Sequence, residues 1–269
     1  HFCIAAAIIF FGLSFRFLLL TNILDLAIRC SRAALPTVFP IFDDLKDIEH
    51  HMLHFLENHD EQRLASLGFA GNAKKGMPAM VVSATSTTAP TMIYFGQEVG
   101  EDGSENAGFG SSTRTSIFDY VGVPAHQRWV NNKQFDGGQL TSEEKDLRDF
   151  YKRLLNFTIN SSALTRNYQD IHLYNREHVR GYSDKILSFV RWSDNEKLII
   201  VSNFDDNNGT EFELKIPNSI IEIWKLDDAA LEIEDQLYNQ FNSTLKVEKG
   251  IGTIKIKLDA LESFILTIK

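Results

Sequence analysis

Apolar and polar residues alternate in short runs over the C-terminal third of the chain, beyond about residue 178. Alternation with a period of two is typical of β-strands that bury one face, and the turn-forming clusters between the runs fit hairpin connections. The predicted strands are 186–191, 197–203, 210–216, 220–226, 253–258 and 262–268. This spacing predicts an antiparallel β-sandwich over residues 178–269.

Residues 43–177 follow a different pattern, in which two short apolar runs alternate with helix-like segments. Thr141 and Glu144 have the spacing of a capping box at the start of the last predicted helix. Strands that alternate with helices pair in parallel, and a parallel sheet of two strands cannot be covered on both faces. We therefore interpret this part as a piece of a larger α/β domain. Its predicted strands are 52–57 and 91–96, and its predicted helical segments are 44–51, 61–67, 76–82 and 141–157.

Residues 1–42 fit neither pattern. Residues 2–21 are apolar except for Arg16. A run of this length would span a bilayer, but an arginine within the span costs about 3 kcal/mol, and no basic region precedes Phe2 as it would in a secretory signal. A membrane span is therefore disfavoured against a buried helix or an altered terminus. No signal peptide is recognisable, and the assignment of residues 1–42 stays doubtful.

The composition limits the classes of protein that need to be considered. The 269 residues carry a formal net charge of −9, which argues against a general affinity for nucleic acids. Cys3 and Cys30 are too few for a disulfide scaffold or a Cys-rich zinc site. His50 and His54 stand four residues apart, as two metal ligands on a helix would, but no HExxH motif and no third ligand with suitable spacing accompanies them. We therefore predict no metal site and assign no cofactor.

Asn58, His59 and Asp60 follow the first predicted strand of the α/β part. In β/α barrels, catalytic groups lie at the carboxyl ends of the strands. A carboxylate beside an imidazole and an amide can orient a polar substrate and stabilise a developing positive charge. Asp60 would equally serve as the N-cap of a helix that begins at Glu61. The spacing alone leaves both interpretations open.

Three segments and the predicted sandwich together resemble one enzyme family. Residues 55–63 (FLENHDEQR), 93–98 (IYFGQE) and 114–124 (RTSIFDYVGVP), in this order, resemble the α-amylase family of glycoside hydrolases. The resemblance covers about residues 43–269. It implies a (β/α)8 barrel followed by an antiparallel sandwich. It also implies an enzyme that acts on α-glucosidic bonds with retention of configuration. The Asn-His-Asp segment corresponds to the family's last signature region, and the Gly-Gln-Glu segment resembles the end of its eighth barrel strand.

The resemblance assigns roles to only a few residues. Asp60 matches the family's third catalytic Asp, which stabilises the transition state and holds sugar hydroxyls. His59 matches a contact to a substrate hydroxyl in the same motif, and Asn58 is assigned to substrate binding with it. Arg63 and Glu98 match motif residues to which no role is assigned. The family often binds calcium through residues upstream of this segment, so no calcium ligand is assigned.

Two carboxylates that the family's chemistry needs have no match. A retaining glycosidase uses a carboxylate nucleophile and a carboxylic acid/base. The family's nucleophile follows an Arg by two residues on the fourth strand, and its acid/base Glu ends the fifth. Asp25 has Ile23 in place of that Arg, and Glu49 and Glu57 lie in other elements. We therefore expect α/β plus all-β architecture: an incomplete (β/α)8 barrel remnant over residues 43–177, then the sandwich over 178–269. The isolated chain is expected to be catalytically incomplete.

The expected ligand is an α-glucan or a maltooligosaccharide. The sequence does not decide between hydrolysis and transfer, or between α-1,4 and α-1,6 linkages. The main alternative is a non-catalytic carbohydrate-binding protein that uses the sandwich and Trp129, and the other is a membrane-associated protein anchored by residues 2–28. The resemblance suggests a secreted or periplasmic bacterial enzyme, while localisation and oligomeric state stay open.

Overall fold

The computed structural model describes residues 47–105, 113–115, 122–239 and 243–269. The apolar segment 1–42, the beginning of the predicted helix 44–51 and parts of the loops around residues 110 and 118 lie outside these described residues. Within the described residues, no helix is both long and apolar enough to cross a membrane.

The described helices and strands fall into an N-terminal helical part and a C-terminal sheet. The α-helices are α1 (Met77–Thr85), α2 (Pro124–Val130), α3 (Ser142–Asn160), α4 (His172–His178) and α5 (Asn218–Trp224). Short 3₁₀ turns lie at Glu49–His51, Ala73–Gly76, Gln97–Val99 and Ala163–Thr165. The strands are β1 (Asn167–Asp170), β2 (Ile186–Trp192), β3 (Lys197–Asn203), β4 (Thr210–Ile216), β5 (Ala229–Asp235), β6 (Thr244–Glu248), β7 (Ile251–Leu258) and β8 (Ser263–Ile268).

The described strands form one eight-stranded antiparallel sheet in the order β1-β2-β3-β8-β5-β6-β7-β4. Strand β5 connects its two halves, because residues 233–235 pair with β8 and residues 229–232 pair with β6. The sheet curls into a half-barrel, and apolar side chains of both halves, such as Ile199 of β3 and Ile254 of β7, share one buried cluster. The predicted antiparallel pairing of this part of the chain is confirmed.

Strands β2 and β3 are buried on both faces of the sheet. In β2, Ile186 and Val190 belong to the core that the two sheet halves share. Leu187 and Phe189 belong instead to a second core, which α1 and α3 cover. Successive side chains of a strand point to opposite faces, so a single strand can supply both cores. The helical part is therefore packed against the outer face of the sheet.

The predicted strand at 220–226 is wrong, because this segment forms helix α5. Ile220, Ile221 and Trp224 lie on its buried side at helical spacing, directly after Pro217. Lys225, with a φ of 54°, adopts the left-handed conformation that ends the helix. In so short a run, apolar residues can fit a period of two and a period of 3.6 equally well. Strands β1, β5 and β6 were not predicted.

The two predicted barrel strands do not form as strands in the described residues. One isolated parallel bridge joins His54 to Thr91, through hydrogen bonds from the His54 N–H to the Pro90 carbonyl (2.9 Å) and from the Met92 N–H to the His54 carbonyl (2.7 Å). The parallel direction is thus present, but over a single residue pair. A lone pair of strands lacks the neighbours that would extend its ladder.

The helices predicted before and after the second run are confirmed as α1 and α3. The capping box at Thr141 and Glu144 is present, with the Thr141 side chain bonded to the Glu144 N–H and the Glu144 carboxylate bonded to the Thr141 N–H. The predicted helical segment 61–67 forms turns and no helix. Its N–H groups at Arg63 and Leu64 bond instead to the Thr113 carbonyl (2.8 Å) and the Glu57 carboxylate (2.5 Å).

Arg191 of β2 joins the helical part to the sheet from a position that is only 1% exposed. Its guanidinium donates to the carbonyl oxygens of Ser86 and Leu164, both at 2.6 Å. It also donates, at 3.3 Å, to the carbonyl oxygens of Thr85 and Arg166. These carbonyls lie at the ends of helical segments, where backbone acceptors have no intrahelical donor. Burial lowers the pKa of Arg191 to about 10.

His172 is fully buried in α4, beside the sheet. Its Nδ1 lies 3.0 Å from the Tyr182 hydroxyl, and that hydroxyl lies 2.9 Å from the Ser188 hydroxyl. Burial lowers the pKa of His172 to about 4, and the positive charge of Arg176 acts in the same direction. His172 is therefore neutral in the folded protein at neutral pH.

Candidate functional site

The segment Asn58-His59-Asp60 forms a tight turn at the surface. The Asn58 Oδ1 accepts hydrogen bonds from the N–H groups of Asp60 (2.7 Å) and Glu61 (2.9 Å). The side chains of His59 and Asp60 are 53% and 77% exposed, and His59 Nε2 lies 3.3 Å from Asp60 Oδ2. The turn thus presents an imidazole and a carboxylate side by side. Both groups can hydrogen-bond to a hydroxyl.

Asp60 does not cap a helix, because the residues after it form turns. The residue with the capping geometry is Asn58, whose side chain bonds the two N–H groups that follow it. Its amide oxygen is engaged in the turn, so the contribution of Asn58 observed here is to the backbone conformation. His59 and Asp60 are the two members of the predicted site whose side chains point to solvent.

A buried ion pair lies beneath the turn. Glu57 and Arg63 are 1% and 0% exposed, and Arg63 Nη1 donates to Glu57 Oε1 at 2.7 Å. The other Glu57 oxygen accepts from the Leu64 N–H. Burial raises the pKa of Glu57, while the charge of Arg63 opposes that rise. Both oxygens of Glu57 therefore take part in holding the turn.

The segment 113–115 lies against the same turn. Arg63 Nε donates to the Thr115 hydroxyl at 2.8 Å, and the Tyr94 hydroxyl donates to the Thr115 carbonyl at 2.9 Å. Arg114 Nη1 donates to the carbonyl oxygen of Asp60. The segments that carry the family resemblance, 55–63, 93–98 and the start of 114–124, are thus brought together around one turn.

A second buried carboxylate, Glu101, lies close to Arg63. Its Oε2 accepts hydrogen bonds from the Ala125 N–H (3.0 Å) and the His126 N–H (3.2 Å), so it holds the start of α2. Burial raises the pKa of Glu101, and the hydrogen bond from the His126 N–H and the charge of Arg63 counter the rise. Sequence reasoning did not identify Glu101, because it stands in a loop without a recognisable motif.

The residues at the end of the predicted second strand are mostly structural. Gly96, with a φ of 80°, makes a turn in a conformation that favours glycine. Gln97 accepts from the Tyr94 N–H at 3.2 Å and donates to the Tyr151 hydroxyl at 3.1 Å, which ties this segment to α3. Glu98 is partly exposed.

The histidines near the turn do not form a metal centre. His54 is buried, and its Nδ1 donates to the Ser83 carbonyl at 3.1 Å. Burial lowers the pKa of His54. His50 and His51 lie on an exposed 3₁₀ turn. Among the described residues, no group of three or more His, Cys, Asp or Glu side chains could hold a metal ion.

The tryptophans are engaged in packing. The ring of Trp129 stacks on His126 at a centroid distance of 5.8 Å, and the Arg148 guanidinium lies 5.3 Å from its centroid. Trp192, at the end of β2, and Trp224, in α5, pack in the core of the sheet, with ring centroids 6.5 Å apart. Trp129 is partly exposed beside these neighbours.

The chain as described combines a curled antiparallel sheet, a helical layer on one face of it and an exposed imidazole–carboxylate turn. No family model matches the chain, and no curated protein sequence does. Solved structures do match it. Their sequence identity to this chain is low, at 14–16% for the three given next.

Three of these structures illustrate the similarity. The α-amylase of Geobacillus thermoleovorans, complexed with acarbose, superimposes with a TM-score of 0.61 at 14% identity, over 93% of this chain and 46% of that one. AmyP in complex with maltotriose gives 0.60 at 16% identity, over 93% and 49%. The Anoxybacillus α-amylase gives 0.58 at 14% identity, over 94% and 45%.

The chain spans just under half the length of these structures. At such identities the similarity shows the fold. The chain has the fold of part of an α-amylase, and the resemblance inferred from the sequence motifs is confirmed at that level.

Proposed function

We propose that this chain is the C-terminal part of a retaining glycoside hydrolase that acts on the α-glucosidic bonds of starch-like glucans. The observation that carries the proposal is the exposed His59–Asp60 pair, held on a turn directly after the segment that pairs in parallel with Thr91. In a β/α barrel this is the place of catalytic groups. The similar structures in complex with maltotriose and acarbose support an oligosaccharide ligand.

Residues 43–177 are proposed to be the end of a (β/α)8 barrel, with 52–57 and 91–96 in the places of strands seven and eight. The parallel bridge between His54 and Thr91 and the helix α3 that follows support this assignment. Residues 178–269 are proposed to be the C-terminal sandwich domain of such an enzyme. The sharing of a core between the two halves of the curled sheet supports it.

In this proposal Asp60 holds sugar hydroxyls and stabilises the positive charge that develops on the sugar ring. Its exposed carboxylate can accept hydrogen bonds from sugar hydroxyls. Its negative charge attracts the positive charge of an oxocarbenium-like transition state and so stabilises it. His59 donates or accepts a hydrogen bond to a neighbouring hydroxyl. Asn58 contributes by holding the backbone of the turn.

Cleavage needs two further carboxylates, about 5–5.5 Å apart in a retaining enzyme. The buried carboxylate of Glu57 is engaged by Arg63 and the Leu64 N–H, and that of Glu101 by the N–H groups of Ala125 and His126. We therefore propose that the isolated chain binds a maltooligosaccharide weakly and does not hydrolyse it. The nucleophile and the acid/base would come from a part of the barrel outside this chain.

We expect the purified chain to release no reducing sugar from soluble starch and to bind maltotriose in a titration calorimeter. Asp60→Asn should weaken maltotriose binding by at least about fivefold, the loss expected when a charge-assisted hydrogen bond becomes neutral. Asp227→Asn removes an exposed carboxylate remote from the turn and should leave the affinity unchanged.

The outcomes separate the alternatives. Starch hydrolysis by the isolated chain would contradict its catalytic incompleteness. Binding that is lost in Trp129→Ala and retained in Asp60→Asn would instead support a carbohydrate-binding module that uses Trp129. An absence of binding would contradict the proposed role of the turn.

A further inference from the structure

The turn that carries His59 and Asp60 is closed at its base by a single carboxylate. One Glu57 oxygen pairs with Arg63 at 2.7 Å, and the other accepts the Leu64 N–H at 2.5 Å. Glu57 thus connects both ends of the loop from residue 57 to residue 64. Its side chain is buried, whereas the side chains of His59 and Asp60 within that loop are more than half exposed.

Arg63 is fixed on several sides, so it can act as a rigid base for the turn. Its Nε donates to the Thr115 hydroxyl at 2.8 Å. Its guanidinium carbon lies 4.4 Å from the centroid of the Tyr94 ring and 4.8 Å from that of Phe95, within range of cation–π attraction. The planar guanidinium can make these contacts and the ion pair simultaneously, which an ammonium group could not.

A buried ion pair is by itself weak evidence for stability. The loss of hydration on burial offsets much of the attraction between the two charges. The position of this pair says more about its role than its energy does. The pair joins residues six apart at the base of an exposed turn, and the side chains of His59 and Asp60 between them can contact a ligand.

We propose that Glu57 and Arg63 are positioning residues, which hold the 58–62 turn in the conformation that presents His59 and Asp60 to a saccharide. The expected effect on saccharide affinity rests on the proposed function. The ordering of the turn by this ion pair does not. A turn that is ordered before binding loses less conformational entropy when the ligand arrives. Glu57 and Arg63 would therefore affect affinity without touching the sugar.

The test compares Glu57→Gln with Glu61→Gln in the full chain. Both variants remove one negative charge from the same turn, but Glu61 is exposed and its side chain takes no part in the network described. Amide hydrogen exchange of Asp60, Glu61 and Leu64 reports the order of the turn without any ligand, and strand β3 serves as an internal reference for global unfolding. Maltotriose affinity is measured on the same samples.

In Glu57→Gln, we expect the amides of the turn to exchange at least about tenfold faster relative to β3, and maltotriose to bind at least about fivefold more weakly. Glu61→Gln should stay within about twofold of the unsubstituted chain in both measurements. Unchanged exchange at the turn in a folded Glu57→Gln would overturn the inference, as would faster exchange with unchanged affinity.

A milder variant covers the case in which Glu57→Gln does not fold. Thr115→Val keeps the shape of the side chain and removes the acceptor of the Arg63 Nε, while the Glu57–Arg63 pair stays intact. It should speed exchange at the turn by about two- to fivefold, since one of the bonds that fix Arg63 is lost. No change at the turn would contradict the inference.

If the unsubstituted chain has a protected turn and binds no maltotriose, the proposed function fails, and exchange in the variants still decides whether the pair orders the turn.

Discussion

Replacing Arg191 by alanine is expected to lower the free energy of unfolding by about 4 kcal/mol, which is within the range for disrupting a buried charged hydrogen-bond network. The guanidinium satisfies carbonyl oxygens from two separate helical segments, including those of Ser86 and Leu164 at 2.6 Å. Without it, these buried acceptors lose their donor, and the space of a long side chain is left empty. Denaturant unfolding followed by circular dichroism measures the change.

The matched control is Arg180→Ala. Arg180 is exposed, so its removal should change the free energy of unfolding by less than about 0.5 kcal/mol. A loss below about 1 kcal/mol in Arg191→Ala would show that the helical part and the sheet do not depend on this guanidinium for their attachment.

The second large effect concerns pH. The pKa of His172 is about 4 in the folded chain, against 6.5 for an unperturbed histidine. Between these values the unfolded chain binds a proton at this position and the folded chain does not. The stabilising contribution of neutral His172 is therefore fully present above pH 6.5 and is lost as the pH falls towards 4. From pH 7 to pH 4.5 the loss amounts to roughly 2–3 kcal/mol, at 1.36 kcal/mol for each unit of difference in pKa.

His172→Gln removes the titrating group and retains an amide that can bond to the Tyr182 hydroxyl. Its free energy of unfolding should depend less on pH than that of the unsubstituted chain, by the same roughly 2–3 kcal/mol between pH 7 and 4.5. His50→Gln, at an exposed histidine, should leave the pH dependence as it is. Equal pH dependence in His172→Gln and in the unsubstituted chain would show that His172 does not cause the loss of stability at low pH.

Local periodicity predicted most of the sheet because its strands are long enough to show a period of two. Strands β3 and β4 have the predicted bounds, and β2, β7 and β8 differ from theirs by one or two residues. Helix α5 was mistaken for a strand because its buried residues fit both periods over a short run. Strand β5 was missed because its first residues are mostly exposed and carry little apolar pattern.

For the two predicted barrel strands, 52–57 and 91–96, the sequence predicted the parallel direction but not the extent of the pairing. A barrel strand is stabilised by neighbours on both edges, and the described residues supply one residue pair of that ladder, His54 with Thr91. Apolar composition alone does not show whether such neighbours are present.

The exposed residues of the candidate site could be predicted from their motif, but the buried contacts that hold the turn could not. His59 and Asp60 were found because they follow a predicted strand in a recognisable segment. Arg63 was noted without a role, and Glu57 was considered only as a catalytic carboxylate in the wrong element. The Glu57–Arg63 pair joins residues six apart in a loop that has no regular period, and the contact of Arg63 with Thr115 joins residues 52 apart in the sequence. Local spacing carries no signal for such contacts.

The most direct test of the central claim is a titration of the isotope-labelled chain with maltotriose, followed by amide and His side-chain chemical shifts. The account predicts saturable shifts concentrated at residues 58–60, with a dissociation constant on the order of millimolar, as expected for a partial site. In Asp60→Asn, the same shifts should need at least about fivefold more maltotriose to reach half-saturation. Saturable shifts confined to the sheet or to the surroundings of Trp129, or no shifts at all, would contradict the claim that this turn is the saccharide-binding site.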